Sequence, residues 1–171
     1  MPEVLSKFKT GTGVPLLKYH QILLRGPSPF SVAERELMAA FVSRVNDCDY
    51  CAGSHAAVAE IFGMPEGLLS DLVENLVGAD VDPKMRPVLS YIRKLTETPS
   101  RMIQADADVV FAAGWDERAL YDAIQVCCLY NFMNRFVDGI GLAATPDLYA
   151  PWGKMIKETG YDGMPDEFGI E

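Results

Sequence analysis

Apolar residues return every three to four positions along most of the chain, and no stretch alternates with period two between turns. A 3.6-residue period buries one face of a helix, whereas a half-buried strand needs strict alternation. The pattern therefore predicts an all-α fold. Residues 14–25 (VPLLKYHQILLR) read as a short helix stopped by Gly26-Pro27-Ser28-Pro29. Ser31 reads as the next N-cap, with Glu34 as its capping-box partner. The helix it opens carries Leu37, Met38, Phe41, Val42 and Val45 on one apolar face. Asn46-Asp47 interrupts it. Asp47 is the expected N-cap of the following helix, which runs to about Phe62 and stops at Gly63-Met64-Pro65. Further helices are expected at about 66–77, 84–97, 104–113, 116–138 and 146–158, and the Gly- and Pro-containing tail 159–171 reads as irregular.

No linker or shift of composition divides the 171 residues, so a single domain spanning 1–171 is expected. A faint echo recurs at an offset of 83. Glu34-Arg35-x-Leu37-x-x-Ala40 lines up with Glu117-Arg118-x-Leu120-x-x-Ala123, which suggests a duplicated helical unit. On that offset Cys48, Cys51 and His55 meet Asn131, Asn134 and Asp138.

The net charge of −9 argues against a nucleic-acid or anionic-membrane partner. No apolar run approaches the ~20 residues that span a bilayer, and the first residues lack the apolar core of a secretory signal. A cytoplasmic protein is expected. Four cysteines are too few for a disulfide scaffold. In a reducing compartment a Cys-x-x-Cys reads as catalytic or metal-binding before it reads as a staple.

That motif is Cys48-Asp-Tyr-Cys51-Ala-Gly-Ser-His55. On a helix, positions i, i+3 and i+7 fall on one stripe, and Cys51 and His55 are i,i+4 neighbours. Two helical Cα atoms three residues apart lie about 5 Å from one another, within disulfide range. A thiol placed at a helix N-terminus, or beside a base, is shifted toward its reactive thiolate. Glu36 is the carboxylate expected to orient His55. On one straight helix it would lie roughly 18 Å from Cys48, but the break at Asn46-Asp47 allows an αα-hairpin. Glu36 and His55 then sit at the same level, about 13–16 Å from the turn. Glu34 and Glu60 compete for this role, although Glu34 is more simply a cap residue.

Glu36, eleven residues, then Cys48-x-x-Cys51-x-x-x-His55 resembles the signature of the alkylhydroperoxidase D family, within the carboxymuconolactone decarboxylase superfamily. The flanks resemble its peroxidase-related branch: Leu24-Arg-Gly-Pro-Ser-Pro29, Ser31-x-x-Glu34-Arg-Glu36-Leu37, Lys94-Leu-Thr96, Ala113-Gly-Trp115 and Asn131-Phe-Met-Asn-Arg135. Together they cover most of residues 15–145. The resemblance implies an all-α homo-oligomer (dimer, trimer or hexamer) that reduces small hydroperoxides in antioxidant defence. It implies no cofactor and no metal, and regeneration by a thioredoxin-like or lipoyl-type dithiol. In the implied mechanism Glu36 polarises His55, and His55 deprotonates Cys51. Cys51 attacks the peroxide and Cys48 resolves the sulfenic acid as a disulfide. One departure from the family is Tyr50, where the best-studied members carry a histidine; it implies a shorter proton relay.

Other readings stand beside this one. Cys48, Cys51, His55 and Glu36 match a zinc ligand set in number. A disulfide reductase or thiol carrier would use the same thiols without peroxide. A carboxymuconolactone decarboxylase-like lyase would not need them, and a binding or assembly protein would keep the motif only as a relic. Tyr50 is expected to shield the cysteines, line the pocket or simply pack, and Asn131, Asn134 and Arg135 to face the site or bond between helices. Cys127 and Cys128, in an apolar helix with Ile124, Val126 and Leu129, are expected in the core. His20 reads as a structural or surface residue.

Overall fold

A computed structural model describes residues 1–143 and 145–171. Among these residues ten α-helices follow one another: α1 (Pro2–Phe8), α2 (Gly13–Arg25), α3 (Val32–Val45), α4 (Asp49–Ile61), α5 (Leu68–Glu74), α6 (Met85–Glu97), α7 (Gln104–Ala112), α8 (Glu117–Gly139), α9 (Pro146–Thr159) and α10 (Met164–Phe168). A 3₁₀ turn at Pro99–Arg101 links α6 to α7. No strand occurs among the described residues. Among them, no helix is long and apolar enough to cross a membrane.

The expected capping box opens α3: the Glu34 N–H donates to Ser31 Oγ at 3.2 Å, and the Ser31 N–H donates to Glu34 Oε2 at 2.7 Å. Beyond that cap α3 is buried on every side from Arg35 to Ser43. It packs against α4, α5, α6 and α8 and forms the axis of the core. A helix enclosed all round has no solvent face, so any polar side chain on it must find a partner inside. Arg35 does so by donating from Nη1 to the carbonyls of Leu23 and Gly26, both at 2.8 Å. This pins the end of α2 to the start of α3. Glu36 is the other such residue.

Several expectations are corrected. Pro2–Phe8 forms a helix that the sequence reading did not anticipate. The tail is not irregular: Gly160 ends α9, α10 follows, and Tyr161, Met164 and Ile170 are buried against the core. Cys127 is buried as expected, but the adjacent Cys128 points outward and is exposed. The echo at offset 83 has no counterpart hairpin. Asn46-Asp47 aligns with Leu129-Tyr130, where α8 runs on unbroken as a 23-residue helix.

Candidate active site

The break between α3 and α4 has a defined chemistry. Asp47 adopts φ 57°, the left-handed conformation usually given to glycine. The Asp47 N–H bonds the Arg44 carbonyl at 3.1 Å, and the Cys48 N–H bonds the Ser43 carbonyl at 2.9 Å. These two bonds make a Schellman ending with Asp47 at the residue after the C-cap. Asp47 thus closes α3 rather than capping α4. Cys48 is the N-cap of α4, with extended-side backbone (φ −86°, ψ 89°), and lies just outside the helix instead of on its stripe. Cys51 and His55 stay one turn apart within α4.

The turn is held from α8. Asn46 Nδ2 donates to Asn134 Oδ1 at 2.9 Å and to Asn131 Oδ1 at 3.2 Å. Asn134 Nδ2 donates to Ser43 Oγ at 2.9 Å, and Asn131 Nδ2 donates to Thr96 Oγ1 and the Cys127 carbonyl. Arg135 donates back to Asn131. Asn131 and Arg135 therefore lie off the cysteine cavity and serve helix–helix bonding. Asn134 does the same while its amide also favours the Cys51 thiolate.

The hairpin brings Glu36 against His55, with Oε2 2.6 Å from Nδ1. Two further groups surround this fully buried carboxylate. Arg25 Nη1 lies 2.6 Å from Oε1, and the Tyr161 hydroxyl donates to Oε1 at 3.0 Å. Burial alone would raise the Glu36 carboxyl, but the interactions with His55 and Arg25 outweigh it and hold it below the usual carboxylate range. A carboxylate facing Nδ1 fixes that nitrogen as the N–H donor and leaves Nε2 as the base. The ring is also held edge-on to Tyr130, 4.5 Å between centroids. The two competing glutamates are elsewhere: Glu34 is the cap, and Glu60 accepts from the Gly67 N–H.

A cavity of about 60 Å³ opens beside this cluster. Cys51, Ser54 and His55 of α4 line it, with Tyr50, His20, Tyr130 and Tyr161. Cys48 is not part of its wall. Both thiols are nearly sealed from solvent, Cys48 at 1% and Cys51 at 4% exposure. The neighbouring Cys51 thiol lowers the Cys48 thiol, opposed by burial and helped by the Cys51 backbone amide. Cys51 is pushed the opposite way, first by Cys48 and then by burial. Of the pair, Cys48 is thus the thiol whose thiolate is the more favoured, while access to the cavity belongs to Cys51. Among the described residues His55 bonds Glu36 and lies 3.5 Å from Tyr161 Oη, with no direct bond to a thiol. Nor, among them, do three His, Cys, Asp or Glu side chains converge as a metal site.

His20 is a buried residue, not a surface one, and it lines the cavity. Its Nδ1–H donates to the Leu16 carbonyl at 2.8 Å, and burial pushes its imidazole down to about 4, so it stays neutral beside the cavity. Tyr50 lines the cavity, and burial raises its phenol. Sequence reasoning did not single out Arg25, Tyr130 or Tyr161. Arg25 stood within a flank that carried the resemblance. Tyr161 is separated from Glu36 by 125 residues and left no local signal.

A model of the carboxymuconolactone decarboxylase family matches residues 16–94, which include Arg25, Glu36, Cys48, Cys51 and His55. No curated protein matches the chain. Among solved structures, an uncharacterized peroxidase-related protein from Silicibacter sp. TM1040 is similar with a TM-score of 0.73 and 26% identity, over 81% of this chain and 72% of that one. The alkylhydroperoxidase AhpD core of an uncharacterized peroxidase-related protein from Ralstonia eutropha JMP134 is similar with a TM-score of 0.73 and 21% identity, over 79% and 71%. The second likeness is one of fold. The matched stretch contains the hairpin and its residues, and the fold is that of these alkylhydroperoxidase D-like structures, which together support assignment to the carboxymuconolactone decarboxylase superfamily.

Proposed function

We propose that this protein is a thiol-dependent peroxidase that reduces hydroperoxides through Cys51 and Cys48, with Glu36 and His55 as a proton relay. One observation carries the reading: Cys51 and His55 share a single small cavity, and Glu36 holds Nδ1 of His55 at 2.6 Å. A cavity of about 60 Å³ admits a water or a peroxide group but no bulky protein disulfide. This favours peroxide over a disulfide substrate.

His55 Nε2, acting through a water in the cavity, removes the Cys51 proton. The thiolate sulfur then forms a bond to the terminal peroxide oxygen, and the O–O bond breaks with its electron pair leaving on the alkoxide. The imidazolium of His55 returns the proton, giving an alcohol, and Cys51 is left as a sulfenic acid. Cys48 attacks that sulfur, closing a Cys48–Cys51 disulfide with loss of water. An external dithiol reduces the disulfide and is itself oxidised. Thiols this deeply buried favour a slender lipoyl-type dithiol over a thioredoxin-like protein. A cytoplasmic antioxidant role and a homo-oligomer belong to the same reading. Exposed Tyr19, Ile22, Tyr121 and Phe132 on α2 and α8 offer apolar surface for self-association.

The test is a stoichiometric hydroperoxide pulse on reduced protein, followed by acid quench, denaturation, alkylation and mass spectrometry. The expected result is loss of two alkylatable thiols, Cys48 and Cys51, with Cys127 and Cys128 unchanged. Sulfenic acid should be trapped at Cys51 in Cys48→Ser. Retention of all four thiols after the pulse overturns the proposal.

A further inference from the structure

Among the described residues, three buried side-chain polar atoms have no hydrogen-bond partner: Nη2 of Arg25, Nε of Arg86 and Oη of Tyr130. A folded protein leaves few such groups, because each has given up water without a replacement. Of the three residues, Tyr130 alone lines the cavity beside Cys51. Its ring is fixed in place. Two imidazoles meet it edge-on, His55 at 4.5 Å and His20 at 6.1 Å between centroids, and its backbone belongs to the long unbroken α8. Burial, and then the neighbouring Tyr161, Glu36 and Cys51, push the phenol well above its ordinary value, so it keeps its proton.

The donors of three neighbours on that wall are already committed. The Nδ1–H of His20 goes to the Leu16 carbonyl, that of His55 goes to Glu36, and the Tyr161 hydroxyl goes to Glu36 as well. Each imidazole is left with an unprotonated Nε2, which can take a proton but cannot steady a negative charge. Breaking the O–O bond of a peroxide puts negative charge on the leaving oxygen, and that charge is best met by a donor already in position. We propose that the Tyr130 hydroxyl is this donor, a catalytic residue that hydrogen-bonds the leaving oxygen while the Cys51 sulfur takes the other. The inference rests on the peroxidase reading and adds a residue to its machinery. The S–O bond forms, the O–O bond breaks with its electron pair on the leaving oxygen, and the neutralising proton comes from His55. Tyr130 lends a hydrogen bond and keeps its own proton. Its hydroxyl has no partner within the fold because its partner arrives with the substrate.

The experiment compares Tyr130→Phe, which removes the hydroxyl alone, with the parent. Reduced protein is oxidised in a single turnover by hydrogen peroxide and by peracetic acid, and the loss of Cys48 and Cys51 is read by quenched alkylation. Urea unfolding is measured beside it. Hydroxide is a poor leaving group and needs the donor, whereas acetate is a weak base and needs it little. Tyr130→Phe should slow oxidation by hydrogen peroxide about a hundredfold, the scale of one lost oxyanion donor. Its loss with peracetic acid should be at least tenfold smaller. Its unfolding midpoint should be no lower than the parent's, because the hydroxyl bonds nothing in the fold. An undiminished rate, an equal loss with both oxidants, or a lowered midpoint overturns the role of Tyr130 and leaves the peroxidase reading standing. Failure of both oxidants to oxidise the parent's Cys48 and Cys51 overturns the peroxidase reading and the role with it.

Discussion

Glu36 illustrates what a single charged residue costs and supplies inside a core. Its carboxylate has no exposure, so water cannot solvate it, and Arg25, His55 and Tyr161 replace that solvation. Glu36→Gln is nearly isosteric, yet it leaves the Arg25 guanidinium with a neutral partner in the interior. Removing one member of a buried ion pair costs about 3 kcal/mol or more. The amide would also no longer fix Nδ1 of His55 as the donor. Glu36→Gln is therefore expected to lower urea-unfolding stability by about 3 kcal/mol. It should also slow peroxide-driven loss of the Cys51 thiol by about a hundredfold, the scale of a lost general base. A variant of full stability and full rate would mean that the Arg25–Glu36–His55 cluster is dispensable for both.

At the scale of the element, the α3–α4 turn decides where the thiols sit. Asp47 is exposed and left-handed, and the Schellman bonds around it set Cys48 at the cap of α4 rather than inside a helix. The turn tests this directly. A β-branched residue at positive φ is strained by about 1–2 kcal/mol, while glycine adopts the conformation freely and loses only some unfolded-chain entropy. Asp47→Gly should stay within about 1 kcal/mol of the parent, and Asp47→Val should fall by about 1–2 kcal/mol, both read from urea unfolding. Equal stability for the two variants would contradict the left-handed ending. The same element explains the role of α8. Asn46 reaches Asn131 and Asn134 across more than eighty residues, so the turn is clamped to the longest helix instead of being free to fray.

For the whole molecule, one buried imidazole ties stability to acid. His20 is buried between Tyr130 and Tyr161, and its imidazole is held down to about 4 from an ordinary 6.5. The unfolded chain therefore takes up a proton below pH 6.5 that the folded protein refuses until about pH 4. Stability falls as pH drops through that window and levels off beneath it. Between pH 7 and 4 the loss from this one residue comes to about 3 kcal/mol. His20→Phe, which keeps the aromatic packing, should lose about 3 kcal/mol less than the parent over the same range. Identical acid slopes for the two proteins would show that His20 is protonated in the folded state.

Most of the helices were legible in the sequence because their causes are local. The Ser31–Glu34 box, the Gly26-Pro27 stop and the 3.6-residue spacing act within a few residues of where they stand. The approach of Glu36 to His55 was legible too, because hairpin geometry follows from distance along two helices to one break. What the sequence hid has a common cause. Tyr130 and Tyr161 join the site from α8 and from the segment that follows α9, respectively, and neither position is marked by a motif. Likewise, only packing separates the buried Cys127 from the exposed Cys128. The tail looked irregular because glycine and proline weaken a short helix on its own, yet docking of Met164 and Ile170 supports α10. The sequence by itself determined the class of fold and the level at which Glu36 and His55 meet across one hairpin. The tertiary structure decided which thiol meets the cavity, what neutralises Glu36 and how large a molecule the site admits. Those depend on surfaces brought together from distant parts of the chain, and burial, which sets their charges and volumes, exists only once the helices have packed.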